Sequence, residues 1–315
     1  MQWEVMLLAL LVGIFIMNMN ISPHFLNAFN MFTHINTFLV SALVALPMAY
    51  VLLMGEIDLS VGGTVVLSAT ILGIVFNATG SMPLAILAAL VMGTICGAIN
   101  GFILIKFPEL SAMIVTLATM IFFRGVSERI LGQGATGGMR TVSWFAHMYD
   151  GRIGPVPYLF FLFMFLAAIF YFVMHKTTFG RHMFAIGANR MAAEYAGINV
   201  KRTRLKVFTL TGLMGGLSAV FYCAWMGTVR SNIAEGYEIE AIAMCVLGGM
   251  STAGGKGNFL GVVIAIFIFG LLRFGLALVN VTPQTVRIII GMLLVVVVIT
   301  QNARQYFNKK PALAN

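Results

Sequence analysis

Charge is what this sequence has least of. Only 9% of its 315 residues are Asp, Glu, Lys or Arg, against roughly 25% in soluble domains. That excludes an ordinary water-soluble fold. Acids are scarcer than bases, ten against 19. The chain has no H-E-x-x-H, no G-x-S-x-G and no clustered His and Asp set, so hydrolytic and metal-dependent chemistry finds no residues to use. The five histidines, His24, His34, His147, His175 and His182, are scattered near expected membrane interfaces. The three cysteines, Cys96, Cys223 and Cys245, lie inside apolar stretches. They read as small packing residues, not as disulfides or metal ligands.

Apolar sequence is what is present. Hydrophobic residues make up 60% of the chain and the mean hydropathy is +0.97. Segments of about 20 apolar residues recur throughout, as bilayer-spanning helices require. They are too long and too uniformly apolar for barrel strands. Ten spans are expected, at about 3–21, 36–54, 61–78, 82–105, 110–131, 156–174, 206–228, 239–254, 258–279 and 284–301. Residues 3–21 lack a basic leader and an A-x-A site, so they read as the first span and not as a cleaved signal. The expected fold is all-α, one polytopic transmembrane domain over 1–315.

The net charge of +9 does not indicate nucleic acid, because the bases do not interleave with exposed aromatics. Seven of them fall between His175 and Lys206, with Glu194 the one acid there. Arg304, Lys309 and Lys310 fall in the tail. Ten spans put both termini on one side. With the termini inside, both clusters face the cytoplasm, as the positive-inside rule expects. This places the chain in a bacterial inner membrane, N-in and C-in, with an inside loop at about 175–205. The Gly-rich loop at 132–155, with Trp144, then faces outside.

Five segments carry information. Gly55-Glu-Ile-Asp-Leu-Ser-Val-Gly-Gly63 separates two apolar helices. Asp58 and Ser60 are either helix N-caps or polar groups of a broken helix lining a cavity. Gly93, Gly97 and Gly101 make one smooth helix face for close packing, and Asn100 beside them either bonds across helices or lines the path. Thr116 and Thr119 lie within the apolar run at 110–131, where Arg124 and Glu128 are spaced to pair or Arg124 to snorkel. In the inside loop, Asn189 is an N-cap, Arg190 to Ala196 forms helix and Gly197 is a C-cap. That short helix is either a solvated connector or a docking helix for a cytoplasmic partner. Finally, Gly248 to Gly257 superficially suggests a phosphate loop. G-x-x-x-x-G-K-[ST] would need Gly at 250 and Ser or Thr at 257, where Met250 and Gly257 stand. ATP is not bound by that motif. A weak echo links the Gly-rich stretches 55–63 and 248–257.

Together the segments Gly55 to Gly62, Gly97 to Gly101, Ile114 to Gly125, Ala185 to Ile198 and Ala241 to Gly257 resemble, in order, the permease subunits of monosaccharide ABC importers of the ribose, xylose and autoinducer-2 type. Glu56 stands where Gly is usual and Met250 where Thr is usual. The resemblance implies a Type II-like permease fold and a transport subunit that is no enzyme and holds no cofactor. ATP and Mg would sit on separate ATPase subunits. A second permease copy or paralogue and a periplasmic sugar-binding protein would complete the importer within membrane lipid. It implies coupling through Gly187, Asn189, Ala192, Ala193, Glu194 and Gly197. Asp58, Ser60, Asn100 and Thr116 are the expected residues of the translocation path, chosen for polarity in an apolar setting. The alternative is a proton- or sodium-coupled secondary transporter. It needs carboxylates deep in the bundle, whereas the ten acids fall at or near the ends of the expected spans.

Overall fold

A computed structural model describes residues 2–21, 23–132 and 134–282, together with 285, 286, 288, 289, 291, 292 and 295. The chain is helical nearly throughout. The helices are α1 (Gln2–Ile21), α2 (Ala28–Ala42), α3 (Ala45–Leu53), α4 (Val61–Thr79), α5 (Met82–Lys106) and α6 (Ala112–Leu131), then α7 (Ser143–Asp150), α8 (Tyr158–Lys176), α9 (Thr178–Ala188), α10 (Arg190–Tyr195), α11 (Val200–Met226), α12 (Tyr237–Leu247) and α13 (Phe259–Leu278). One small hairpin, Arg152–Ile153 with Val156–Pro157, joins α7 to α8.

Six helices, α1, α4, α5, α8, α11 and α13, are long and apolar enough to cross a membrane. They correspond to six of the ten expected spans. The others differ for identifiable reasons. The span expected at 36–54 is the pair α2 and α3, bent by 42°. Pro47 explains the bend: it has no N–H, and its ring crowds the carbonyl four residues earlier, at Leu43. The span at 110–131 is a helix of 20 residues, but Arg124, Glu128 and Arg129 lower its hydropathy. The span at 239–254 is only the 11-residue α12, half the length a bilayer needs. The span at 284–301 and the basic tail lie largely outside the described residues. A count of ten is therefore not established, whereas a polytopic helical membrane protein is.

The half-length helix α12, together with the segment before it, carries the chain from one side of the molecule back to the other. The N-terminal ends of α11 and α13 share one side of the molecule, since Phe259 N donates to Nε2 of His175 at the end of α8 (3.3 Å) and the α9–α10 connection leads into α11. Helix α11 has 27 residues, about 40 Å at 1.5 Å per residue, so it ends on the far side. The chain from 227 to 258 must then return across. It does so through an unwound stretch, with Ala234 and Gly236 at positive φ, followed by α12. Irregular backbone at this depth is tolerated only where its polar groups are satisfied by protein or face a cavity.

Helix α3 is the centre of the bundle, with every residue buried. It packs against α8, α11, α12 and α13. Helices α5 and α11 meet along a seam of small residues. A methyl group on Gly97 would overlap the carbonyl oxygen of Phe208, and one on Gly212 would overlap that of Gly93. Large apolar side chains on α6 and α8, such as Ile121, Phe122 and Phe165, are more than 60% exposed, which suits hydrocarbon and not water. Cys96, Cys223 and Cys245 are free and buried, as their apolar settings suggested.

Candidate functional site

Three loops converge on the side of the molecule where α11 begins. They are the α3–α4 loop at 54–60, the α9–α10 junction at 187–189 and the α12–α13 loop at 248–258. Gly255 N donates to the Leu53 carbonyl (2.8 Å). A methyl on Gly187 would overlap that same carbonyl oxygen. A methyl on Gly55 would lie 3.1 Å from the Ala253 oxygen. The two glycine-rich stretches that echo one another in sequence therefore pack backbone to backbone, with the α9–α10 junction wedged against both. Residue Trp3 braces the third loop, its indole Nε1 donating to Leu247 O (3.1 Å).

Helix α10 is the short helix that the capping pattern predicts. The Asn189 side chain accepts from Ala192 N (3.0 Å). Gly197, at φ +83°, donates to Glu194 O (3.0 Å), and Ile198 N donates to Ala193 O (3.0 Å). This pair of bonds closes a helix through a left-handed residue. Ala193 is buried and holds the helix to the body. Arg190 lies 3.9 Å from Glu194, one turn on. Met191 is 70% and Tyr195 93% exposed. An aromatic residue and a methionine presented outward from a fixed helix form a surface suited to a protein partner.

Behind α10 lies an ion pair. Glu56 Oε1 is 2.6 Å from Arg204 Nε, with the two side chains 14% and 4% exposed. Arg204 also donates from Nη1 to Leu104 O (2.6 Å). Both partners line a cavity that also reaches Arg190, Ser111 and Met113. In sequence Glu56 is only a departure from the usual Gly, and Arg204 only one base of a cluster. Nothing in the spacing, 148 residues apart, could have joined them.

Of the four residues expected in the path, Asp58 and Ser60 lie deeper in the α3–α4 loop, Asn100 faces them from α5 and Thr116 from α6. Asp58 Oδ1 accepts from Ser60 N (2.8 Å) and from the Ser60 hydroxyl (2.6 Å). Asn100 Nδ2 donates to that hydroxyl's oxygen (2.7 Å). Thr116 Oγ1 accepts from Leu59 N (3.0 Å) and donates to Ala112 O (2.8 Å). Asp58, Ser60 and Asn100 thus form one chain of bonds, and Thr116 anchors the residue between them. All four are at most 2% exposed. Burial pushes the Asp58 carboxyl up to about 6, against the lowering effect of the two Ser60 donors. Ser60 occupies the N-cap position of α4 without a side-chain cap bond, so the capping reading fails for it.

Arg124 neither pairs with Glu128 nor snorkels. Its Nη1 donates to the carbonyls of Ser231 (2.6 Å) and Ile233 (3.2 Å), in the unwound stretch before α12. The guanidinium supplies the donors that a continuous helix would have supplied. Glu238 and Glu240 lie in the first turn of α12 and are partly buried. Glu240 pairs with Arg273.

A profile described as the permease component of branched-chain amino acid transport systems matches residues 30–298. The chain belongs to this permease family. It is 33% identical over 303 residues to the protein named autoinducer 2 import system permease protein LsrD of Escherichia coli strain K12, covering 94% of this chain and 91% of that protein. The figures for the protein of the same name from Shigella flexneri are the same. No solved structure matches the chain. This permease is a multi-pass membrane transport subunit and not an enzyme. Membership implies ATPase and binding-protein partners.

Proposed function

We propose that this permease forms the translocation path for a small monosaccharide or related furanosyl compound, delivered by a periplasmic sugar-binding protein. The observation that supports this best is the near full-length similarity to permeases named for autoinducer 2 import, a resemblance the sequence motifs also carry. The path is completed by a second permease copy or a paralogue, in a Type II-like arrangement. ATP and Mg are held by the ATPase subunits and not by this chain.

The permease is one domain, oriented with both termini inside. The seven bases between His175 and Lys206 support that orientation. Counting the bent α2–α3 pair, α6, the unwound stretch with α12, and the expected final segment gives ten crossings, which agrees with it. The coupling loop at about 175–205 contacts the ATPase through α10, using Gly187, Asn189, Ala192, Ala193, Glu194 and Gly197 to build and fix the helix. ATP binding shifts the permease only by its differential affinity for two states, and the junction leading into α10, at Gly187 and Ala188, packs against the glycine loops that such a shift would move. Asp58, Ser60, Asn100 and Thr116 border the inner end of the path.

Uptake in proteoliposomes tests this reading. The permease would be reconstituted with its co-purified partners and a panel of radiolabelled pentoses, deoxyhexoses and autoinducer 2. ATP-driven accumulation that persists with a protonophore is the expected result. Accumulation that needs no ATP and collapses with the protonophore would point to the secondary-transporter alternative.

A further inference from the structure

Away from the docking side, a cavity of about 430 Å³ opens between α2, α12 and α13, within the range of small-molecule sites, roughly 300–1,000 Å³. Its polar lining comes from His34, Thr37, Glu235, Tyr237, Glu240 and Arg273. At 1.5 Å per residue, Thr37 lies about 14 Å along α2 from its far-side end, and Arg273 about 7 Å from the far-side end of α13. The cavity therefore reaches well into the bundle. It lies beside both interrupted elements of the fold, the bent α2–α3 pair and the unwound entry to α12. In transporters, interrupted helices of this kind border substrate sites.

We propose that this cavity is a substrate subsite for a neutral, polyhydroxylated molecule of monosaccharide size. The proposal rests on the transport reading above and adds where the substrate is held. The lining mixes acceptors (Glu235 and Glu240), donors (Arg273) and groups that do both (Thr37, Tyr237), which is what vicinal hydroxyls need. The exposed His34 ring, stacked at 4.5 Å on the buried Phe274, offers its outer face to the C–H side of a sugar ring. Two carboxylates stand against one guanidinium, so a phosphorylated sugar meets like charge. The Glu240–Arg273 ion pair spans α12 and α13. A substrate hydroxyl at that pair bridges the half-length helix α12 to α13.

The test uses the full-length permease in proteoliposomes, with its three buried cysteines replaced by Ala and a single cysteine introduced as Thr37→Cys. A parallel Ala277→Cys variant at the cavity rim guards against misfolding of the first. The probe is 2-(trimethylammonium)ethyl methanethiosulfonate. Modification at least tenfold faster than at lipid-facing Phe165→Cys is expected, slowed at least twofold by 100 mM D-ribose and unaffected by ribose 5-phosphate. No modification of either cavity variant would overturn the proposal, as would equal protection by the phosphate ester or none by ribose. Neither readout needs ATP. A permease that shows them but fails to accumulate any sugar with ATP would contradict the importer reading and not the subsite.

Discussion

Glu56 and Arg204, 148 residues apart in the chain, form an ion pair of 2.6 Å directly behind α10. Removing one partner of a buried pair typically costs 3–5 kcal/mol, whereas replacing both by apolar residues is often neutral. Glu56→Ala should therefore destabilise the permease by about 3 kcal/mol. Glu56→Ala with Arg204→Met should recover most of that loss. Thermal unfolding in detergent of the parent, the two single variants and the double variant checks this. Additive losses would show that the pair does not couple.

Arg124 should be needed for the unwound stretch before α12. Arg124→Met leaves the Ser231 and Ile233 carbonyls without their donor. Each buried unsatisfied group costs about 1–3 kcal/mol. The variant should insert into the membrane but melt earlier, and Arg124→Lys should restore only part, since an ammonium lacks the planar fork. A melting curve equal to the parent's would contradict the role given to Arg124.

The α5–α11 seam should not accept bulk. A side chain at Gly97 or Gly212 overlaps backbone of the facing helix, and overpacking of this kind costs about 1–3 kcal/mol or more. Gly97→Val should lower the yield of monodisperse protein in size-exclusion chromatography. Gly125→Ala, at a position with nothing within 4 Å of an added methyl, should not.

Docking should fail without unfolding when α10 is altered at its surface. Tyr195 is 93% exposed, so Tyr195→Ala removes contact area from a partner and little from the fold. The expected result is an unchanged melting temperature with a loss of at least tenfold in ATP-driven uptake. Gly197→Val should give the same uptake defect with a modest loss of stability, because φ +83° strains a β-branched residue.

Much of this architecture was legible in the sequence. The apolar run lengths gave six membrane-crossing helices directly, because a 20-residue run in lipid has few alternatives to a helix. Asn189 and Gly197 marked the limits of α10, because capping is local chemistry. The glycines at 93, 97 and 101 gave the close-packed face, but their partner Gly212 was invisible without the pairing of α5 to α11. The bend in α2–α3 could have been found from Pro47. The expected span at 239–254 runs past the end of α12 on the strength of Met250 and Ala253 alone, whereas the helix stops at Gly248 and Gly249. The links from Glu56 to Arg204, and from Arg124 to the 231–233 carbonyls, join residues more than 100 apart, and only the tertiary fold brings them together. The likeness of stretches 55–63 and 248–257 looked incidental in sequence, yet they pack against one another in space.

If α10 carries the drive from an ATPase to this permease, Tyr195 lies against that ATPase. The most direct measurement is a site-specific photocrosslink in native membranes, with p-benzoylphenylalanine in place of Tyr195 and the adduct identified by mass spectrometry. An adduct with a nucleotide-binding ATPase subunit is expected, lost when the reporter is moved to lipid-facing Phe165. A folded, inserted permease that gives no ATPase adduct from position 195 would contradict it.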